Sequence, residues 1–143
     1  MLILGSMPGA VSLNVGQYYA HPRNVFWKIM GELAGAGSDK PYAERGAILK
    51  AHRIALWDVL RSCVRLGSLD ADIRDEAPND FAAHPHIKRI GCNGAKAAAS
   101  FRKYAATTVP SGAEIIILPS TSPAHAGLSF EKKCAAWRIG LAL

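Results

Sequence analysis

A chain of 143 residues, 50% of them hydrophobic, makes one domain that can bury a core without disulfides or a structural metal. Its 17 Lys and Arg against 11 Asp and Glu leave a net charge of +6, the sign expected of a surface that meets phosphates. Two classes are excluded: no run approaches the ~20 apolar residues of a membrane span, and Cys63, Cys92 and Cys134 are too widely spaced for zinc or iron–sulfur ligation.

Leu2 to Leu4 is the first expected strand; beginning at residue 2, it is either short or missing its start. Gly5, Pro8 and Gly9 then turn the chain at the strand's carboxyl end, where open α/β sheets bind ligands. Asn24 suits the cap of a helix whose Phe26, Ile29, Met30 and Leu33 share one face. A second helix is expected over Pro41 to Lys50, a strand over Ile54 to Trp57, and a loop over Asp58 to Ser68. From Gly67 to Pro85 the sequence is polar and aperiodic, a connection with a turn of helix near Asn79 to Ala83.

The pattern then resumes with a strand over Ile87 to Cys92 and an alanine-rich helix over Gly94 to Ala106, its Lys96, Arg102 and Lys103 outward. A strand over Ile115 to Leu118 follows, and a closing helix over Ser129 to Leu141 carries Glu131 in its first turn, where the dipole favours it. Strands alternating with helices imply one α/β domain spanning the whole chain, with a largely parallel sheet and helices on both faces. The cysteines read as buried small hydrophobes. No cationic, apolar leader opens the chain, so cytoplasm is the expected compartment.

Three strand ends carry unusual loops, which a parallel sheet brings together: Gly5 to Asn24, Asp58 to Ser68, and Pro119 to Gly127. The first holds Tyr18, Tyr19, His21 and Asn24, which a plain loop does not require. The last reads PSTSPAHAG, where two prolines hold an extended course and Ser120, Thr121, Ser122 and His125 offer hydroxyl and imidazole groups able to grip a phosphate backbone.

The blocks LILGSMPG, YYAHPRNVFW, ALWDVLRSC with GSLDADI, NGAKAA at Asn93 to Ala98, and LPSTSPAHAG, in this order, resemble the uracil-DNA glycosylase superfamily. The resemblance covers nearly all of the chain and is strongest to the hypoxanthine (deoxyinosine) DNA glycosylase branch. It implies a three-layer α/β/α fold around a four-stranded parallel sheet. It also implies a monofunctional glycosylase of base excision repair that flips a damaged base out of the duplex. The bond from base to deoxyribose is then hydrolysed without metal or cofactor, leaving an abasic site. Hypoxanthine is the expected base, with uracil a further candidate. The expected partner is double-stranded DNA containing a deaminated base, with no membrane and no obligate protein partner, the enzyme acting as a monomer.

The same resemblance assigns roles. Tyr19 occupies the position at which mismatch-specific relatives stack a ring on the extruded base, with Tyr18 as substitute. Better-known relatives carry Asn or Asp in the first motif to hold the attacking water, whereas this chain has Met7, whose thioether accepts hydrogen bonds only weakly. In the hypoxanthine branch the catalytic amide belongs to the HPxNxFW block, which maps onto Asn24. An amide is no general base, but its carbonyl oxygen can aim a water at the anomeric carbon. His125 is the candidate donor to the leaving base or to a flanking phosphate, in the loop that the superfamily inserts into the minor groove, with His21 a second candidate.

Ser120 and Ser122 suit phosphate contacts, and Gly5 and Ser6 would line the pocket wall with backbone amides. Asn93 can bond DNA or simply make the turn, while Trp57 and Asp58 read as support behind the pocket. Two rivals stand beside this reading: a mismatch-specific uracil or thymine DNA glycosylase, and a lesion-binding module without catalysis, which Met7 motivates. A small enzyme acting on free nucleotides is a third, though the glycine-rich turn lacks the Lys and Ser/Thr of a P-loop.

Overall fold

In the computed structural model, residues 1–67, 69–82, 84–107, 109 and 112–143 are described. Chain order is β1 (Leu2–Gly5), α1 (Ala10–Val15), α2 (Phe26–Ala34), α3 (Tyr42–Ala51), β2 (Ala55–Asp58), β3 (Leu60–Val64), β4 (Arg74–Pro78), β5 (Arg89–Asn93), α4 (Ala95–Tyr104), β6 (Glu114–Leu118) and α5 (Phe130–Leu141). The four expected strands form one sheet in the order β2-β1-β5-β6, every pair parallel. β1 is only four residues long and wholly buried, as an uninterrupted apolar run in the middle of a parallel sheet should be.

Side chains alternate across that sheet and so feed two cores. Leu2, Leu4, Ile90 and Cys92 face Ala97, Ala98, Phe101 and Ala105 of the α4 layer. Ile3 and Leu118 face the opposite way, against Phe26, Ile29 and Met30 of α2, Leu49 of α3, and Trp137 and Leu141 of α5. The result is the expected three-layer α/β/α arrangement. Ser129 caps α5 by accepting from the Lys132 amide at 3.4 Å.

Several expectations are corrected. The loop expected over 58–68 and the connection over 67–85 hold an antiparallel ribbon of β3 and β4, plus a 3₁₀ turn at Asp70–Asp72. Half of its strand residues are exposed and their pairing shifts register, so no regular alternation marks them in the sequence. No helix forms over 79–82, where buried Phe81 packs on Trp57, and Ala83 and Ser68 lie outside the described residues. Lys96 does not point outward but binds Glu76 of β4. Of the cysteines, Cys92 is buried, whereas Cys63 and Cys134 are half-buried. Among the described residues, no helix is long and apolar enough to cross a membrane.

Candidate active site

β1 lies between β2 and β5, so the chain leaves the carboxyl ends of β1 and β5 toward opposite sides, opening a crevice between them. A cavity of about 620 Å³ occupies that place. Every site residue expected from the sequence lines it: Gly5, Ser6, Tyr18, Tyr19, His21 and Asn24 from the first loop, Asn93 from β5, and Ser120, Ser122 and His125 from the last.

The floor is built around Gly5, which stands in register with Asp58. A Cβ at Gly5 would come within 2.3 Å of Asp58 Oδ1 and 3.4 Å of Tyr19 Oη, so only glycine lets these groups converge. Asp58, read from the sequence as support behind the pocket, is instead part of its wall and only 5% exposed. Burial pushes its carboxyl up to about 7, Asp70 adds to the rise, and Arg65 opposes it.

Tyr19 takes a left-handed backbone (φ 56°), and its ring stacks on Phe26 with centroids 4.0 Å apart while the residue lines the cavity. Its buried hydroxyl finds no hydrogen-bond partner among the described residues. Burial and the Asp58 charge raise its pKa, against an opposing pull from Asn93. Tyr18 is pinned through its backbone: its N–H donates to Tyr42 Oη (3.0 Å) and its carbonyl accepts from Trp27 Nε1 (2.8 Å). Burial, then Asp58 and Tyr42, push the Tyr18 phenol up to about 12, so it remains a donor at neutral pH.

Asn24 lies one residue ahead of Val25, which caps α2, and not at the cap itself. Its Oδ1 accepts from the Phe26 amide at 3.0 Å, which orients the amide, and a carbonyl oxygen has a second lone pair with which to accept. His21 accepts from the Arg23 amide at Nδ1 (3.2 Å), so the neutral ring carries its proton on Nε2.

The far rim is the 119–125 loop, and it is fastened throughout. Asn93 spends both ends of its amide on Thr121, donating to Oγ1 and accepting from the backbone N–H, each at 2.9 Å. The Thr121 carbonyl accepts from Val25 (3.1 Å), Pro119 from Trp137 Nε1 (2.9 Å), and His125 from Lys133 Nζ (2.6 Å). Gly94, at φ 99°, lets the chain pass Ser120, whose Cβ would lie 2.9 Å from a Cβ there. Ser120 and Ser122 each accept from the amide two residues on, both at 3.2 Å. A hydroxyl that accepts in this way can still donate its hydrogen to an anion.

The near rim is the segment joining β3 to β4, from which Leu69 and Asp70 line the cavity; sequence reasoning missed this ribbon and Lys133, and gave Asp58 and Thr121 other roles. Ser6 Oγ donates to Asp70 Oδ1 at 2.7 Å, and Arg65 donates to the Pro8 carbonyl. Glu76 accepts from Lys96 and from Tyr104 Oη (2.8 Å), and the Lys96 bond holds its pKa below the ordinary carboxylate range. The signal available in the sequence for Asp58 was a carboxylate closing an apolar strand run, at the end of the strand where α/β sheets place their ligands.

A family model described as the uracil DNA glycosylase superfamily matches residues 1–139. Curated proteins named hypoxanthine DNA glycosylase from Methanosarcina acetivorans and Methanosarcina barkeri are each 38% identical over 130 residues, covering 87% of this chain and 80% of theirs. The solution structure of a candidate uracil DNA glycosylase from Methanosarcina acetivorans superimposes with a TM-score of 0.81 at 35% identity, over 98% of this chain and 87% of that one. With a cavity at the switch point of a parallel sheet and matches spanning the fold, the chain belongs to the uracil DNA glycosylase superfamily and is a DNA glycosylase.

Proposed function

We propose that this protein releases hypoxanthine from double-stranded DNA, acting as a cytoplasmic monomer, with uracil as a second base. The observation that carries the reading is the convergence of amide, aromatic, imidazole and hydroxyl groups from three separate loops on one cavity. A cavity of about 620 Å³ accommodates an extruded purine nucleotide.

Tyr19 offers a face of its ring to the flipped base. Asp58 meets the lactam edge that hypoxanthine and uracil share, an N–H beside a carbonyl. Asn24 directs a water at the anomeric carbon with its second lone pair, held by the Phe26 amide. Cleavage builds cationic character on the sugar and negative charge on the departing base. His21, with its Nε2 proton, and His125 at the far rim supply donors for that charge. Ser120 and Ser122 hold flanking phosphates, and Asn93 acts through Thr121 to position the loop that carries them.

The test is single-turnover release from duplexes containing inosine, uracil or a mispaired thymine. Inosine should be cleaved fastest, and Asn24→Ala should abolish release while retaining most of the DNA affinity. Preference for thymine would move the protein to the mismatch-specific reading, and undiminished turnover in Asn24→Ala would remove that residue from the mechanism.

A further inference from the structure

A second cavity, of about 490 Å³, opens between β4 and α4, and base release leaves it without a task. β4 contributes Arg74, Asp75 and Glu76 to its walls, and α4 contributes Lys96, Ser100 and Lys103. Lys96 also lines the first cavity, so the two adjoin.

Two features mark the second cavity as a place for a ligand. The first is a buried donor. Ser100 is 2% exposed, and its Oγ has no hydrogen-bond partner among the described residues. Buried hydroxyls are ordinarily satisfied, because an unpaired one has given up water and gained nothing in exchange, so an acceptor is wanting here. The second feature is charge. Three cations, Arg74, Lys96 and Lys103, stand against two carboxylates, Asp75 and Glu76, which leaves one positive charge in excess.

These cations are held in place. Glu76 accepts from Lys96 and lies 3.6 Å from Lys103. Arg74 donates through Nη1 to the Ala71 and Ile73 carbonyls, each at 2.8 Å. Side chains fixed in advance lose less freedom when an anion arrives. A phosphodiester suits both features, since it carries a single negative charge and its oxygens accept hydrogen bonds. A phosphomonoester, at about −1.5 to −2 near pH 7, would overcharge the site.

We propose that the cavity between β4 and α4 is a second backbone-phosphate site, which holds a phosphodiester flanking the extruded nucleotide through Ser100, Lys96 and Lys103. The inference rests on the glycosylase reading for its substrate, and it gives the β3–β4 ribbon a function: carrying the carboxylate that sets both lysines. Because Lys96 belongs to both cavities, a phosphate held in the second fixes the register of the strand over the first.

The test is a walk of uncharged methylphosphonate linkages along the phosphates flanking inosine, read as equilibrium affinity for the duplex. Wild type should lose about three- to tenfold at the position that meets the cavity. Lys103→Gln and Ser100→Ala should bind the unmodified duplex correspondingly more weakly, ignore the substitution at that one position, and respond like wild type at every other. Ser100→Ala should not lower the melting temperature, since its hydroxyl has no partner in the free protein to lose. On undamaged duplex, Lys103→Gln should lessen the slope of log affinity against log salt by about 0.9. Variants that bind like wild type, or that lose affinity without singling out a position, would overturn the site. Inorganic phosphate is the other source of this chemistry: if it raises the melting temperature of wild type and not of Lys103→Gln while the walk stays flat, the assignment to DNA falls. Should the protein release no hypoxanthine while the salt slope drops in Lys103→Gln and affinity drops in Ser100→Ala, the glycosylase reading would fail and the phosphate site would stand.

Discussion

Replacing Asp58 with Asn should stabilise the protein, and by an amount that depends on pH. In the folded state the carboxyl titrates near 7 instead of its ordinary 3.8 because burial disfavours the charged form. Below pH ~4 the group is protonated in both folded and unfolded chains and carries no penalty. As pH rises from there toward 7, the unfolded chain gains from ionising while the folded one does not, and stability falls; above 7 the loss is constant. The gap corresponds to a ceiling of about 4 kcal/mol, or on the order of 10 °C in melting temperature for a domain of this size. An amide has nearly the same shape and no charge to desolvate. Melting curves of wild type and Asp58→Asn should therefore coincide near pH 4, diverge through pH 5 to 7, and stay apart by a fixed amount at pH 8 and above. The catalytic counterpart is a wild-type release rate that falls as pH passes 7, where an anion facing the departing base opposes its developing charge, and a variant rate without that inflection. A difference in melting that is absent at pH 8, or identical at every pH, would refute the account of Asp58 as a buried acid held for function.

Three further outcomes are expected. Gly5→Ala places a methyl 2.3 Å from Asp58 Oδ1, and should destabilise by about 1–3 kcal/mol in urea unfolding, with most of the loss recovered in the double variant that also carries Asp58→Ala. Thr121→Val keeps the side-chain shape but leaves Asn93 Nδ2 without its acceptor; it should lower stability by ~1–3 kcal/mol and slow base release. Binding to duplex DNA should weaken linearly on a logarithmic plot against salt, with a slope of several units, as phosphate contacts release counterions; salt-independent binding would count against a phosphate-gripping surface.

The sheet was legible because its strands read as apolar runs, both in the buried β1 at its centre and in the edge strand β6, where Ile115 and Ile117 are exposed, and all four fall within a residue or two of their expected limits. The ribbon was not legible, since its strands have few inward positions and exist through pairing with each other and the grip of Glu76 on α4. α1 hid inside the first loop because it is six residues long and leaves Val11, Leu13 and Val15 exposed, so no amphipathic face marks it. At the site, residue types and their grouping after strand ends were readable, since parallel topology brings such ends together. What each side chain does depends on partners distant in sequence. Asn93 proves to serve Thr121. Asp58 meets the cavity only because the strand beside it ends in glycine. Lys96 turns toward a carboxylate on a strand that periodicity could not reveal.

The mutual satisfaction of Asn93 and Thr121 also constrains how such enzymes diverge. Asn93 Nδ2 donates to Thr121 Oγ1 while its Oδ1 accepts from the Thr121 backbone N–H, so losing the hydroxyl at 121 or the amide at 93 strands a polar group that a matching change at the other position can rescue. Lineages that altered the chemistry of the phosphate-gripping turn would have had to move both together. Residues 93 and 121 should therefore substitute as a couple, swapping one complementary donor–acceptor set for another, while the serines on either side vary independently.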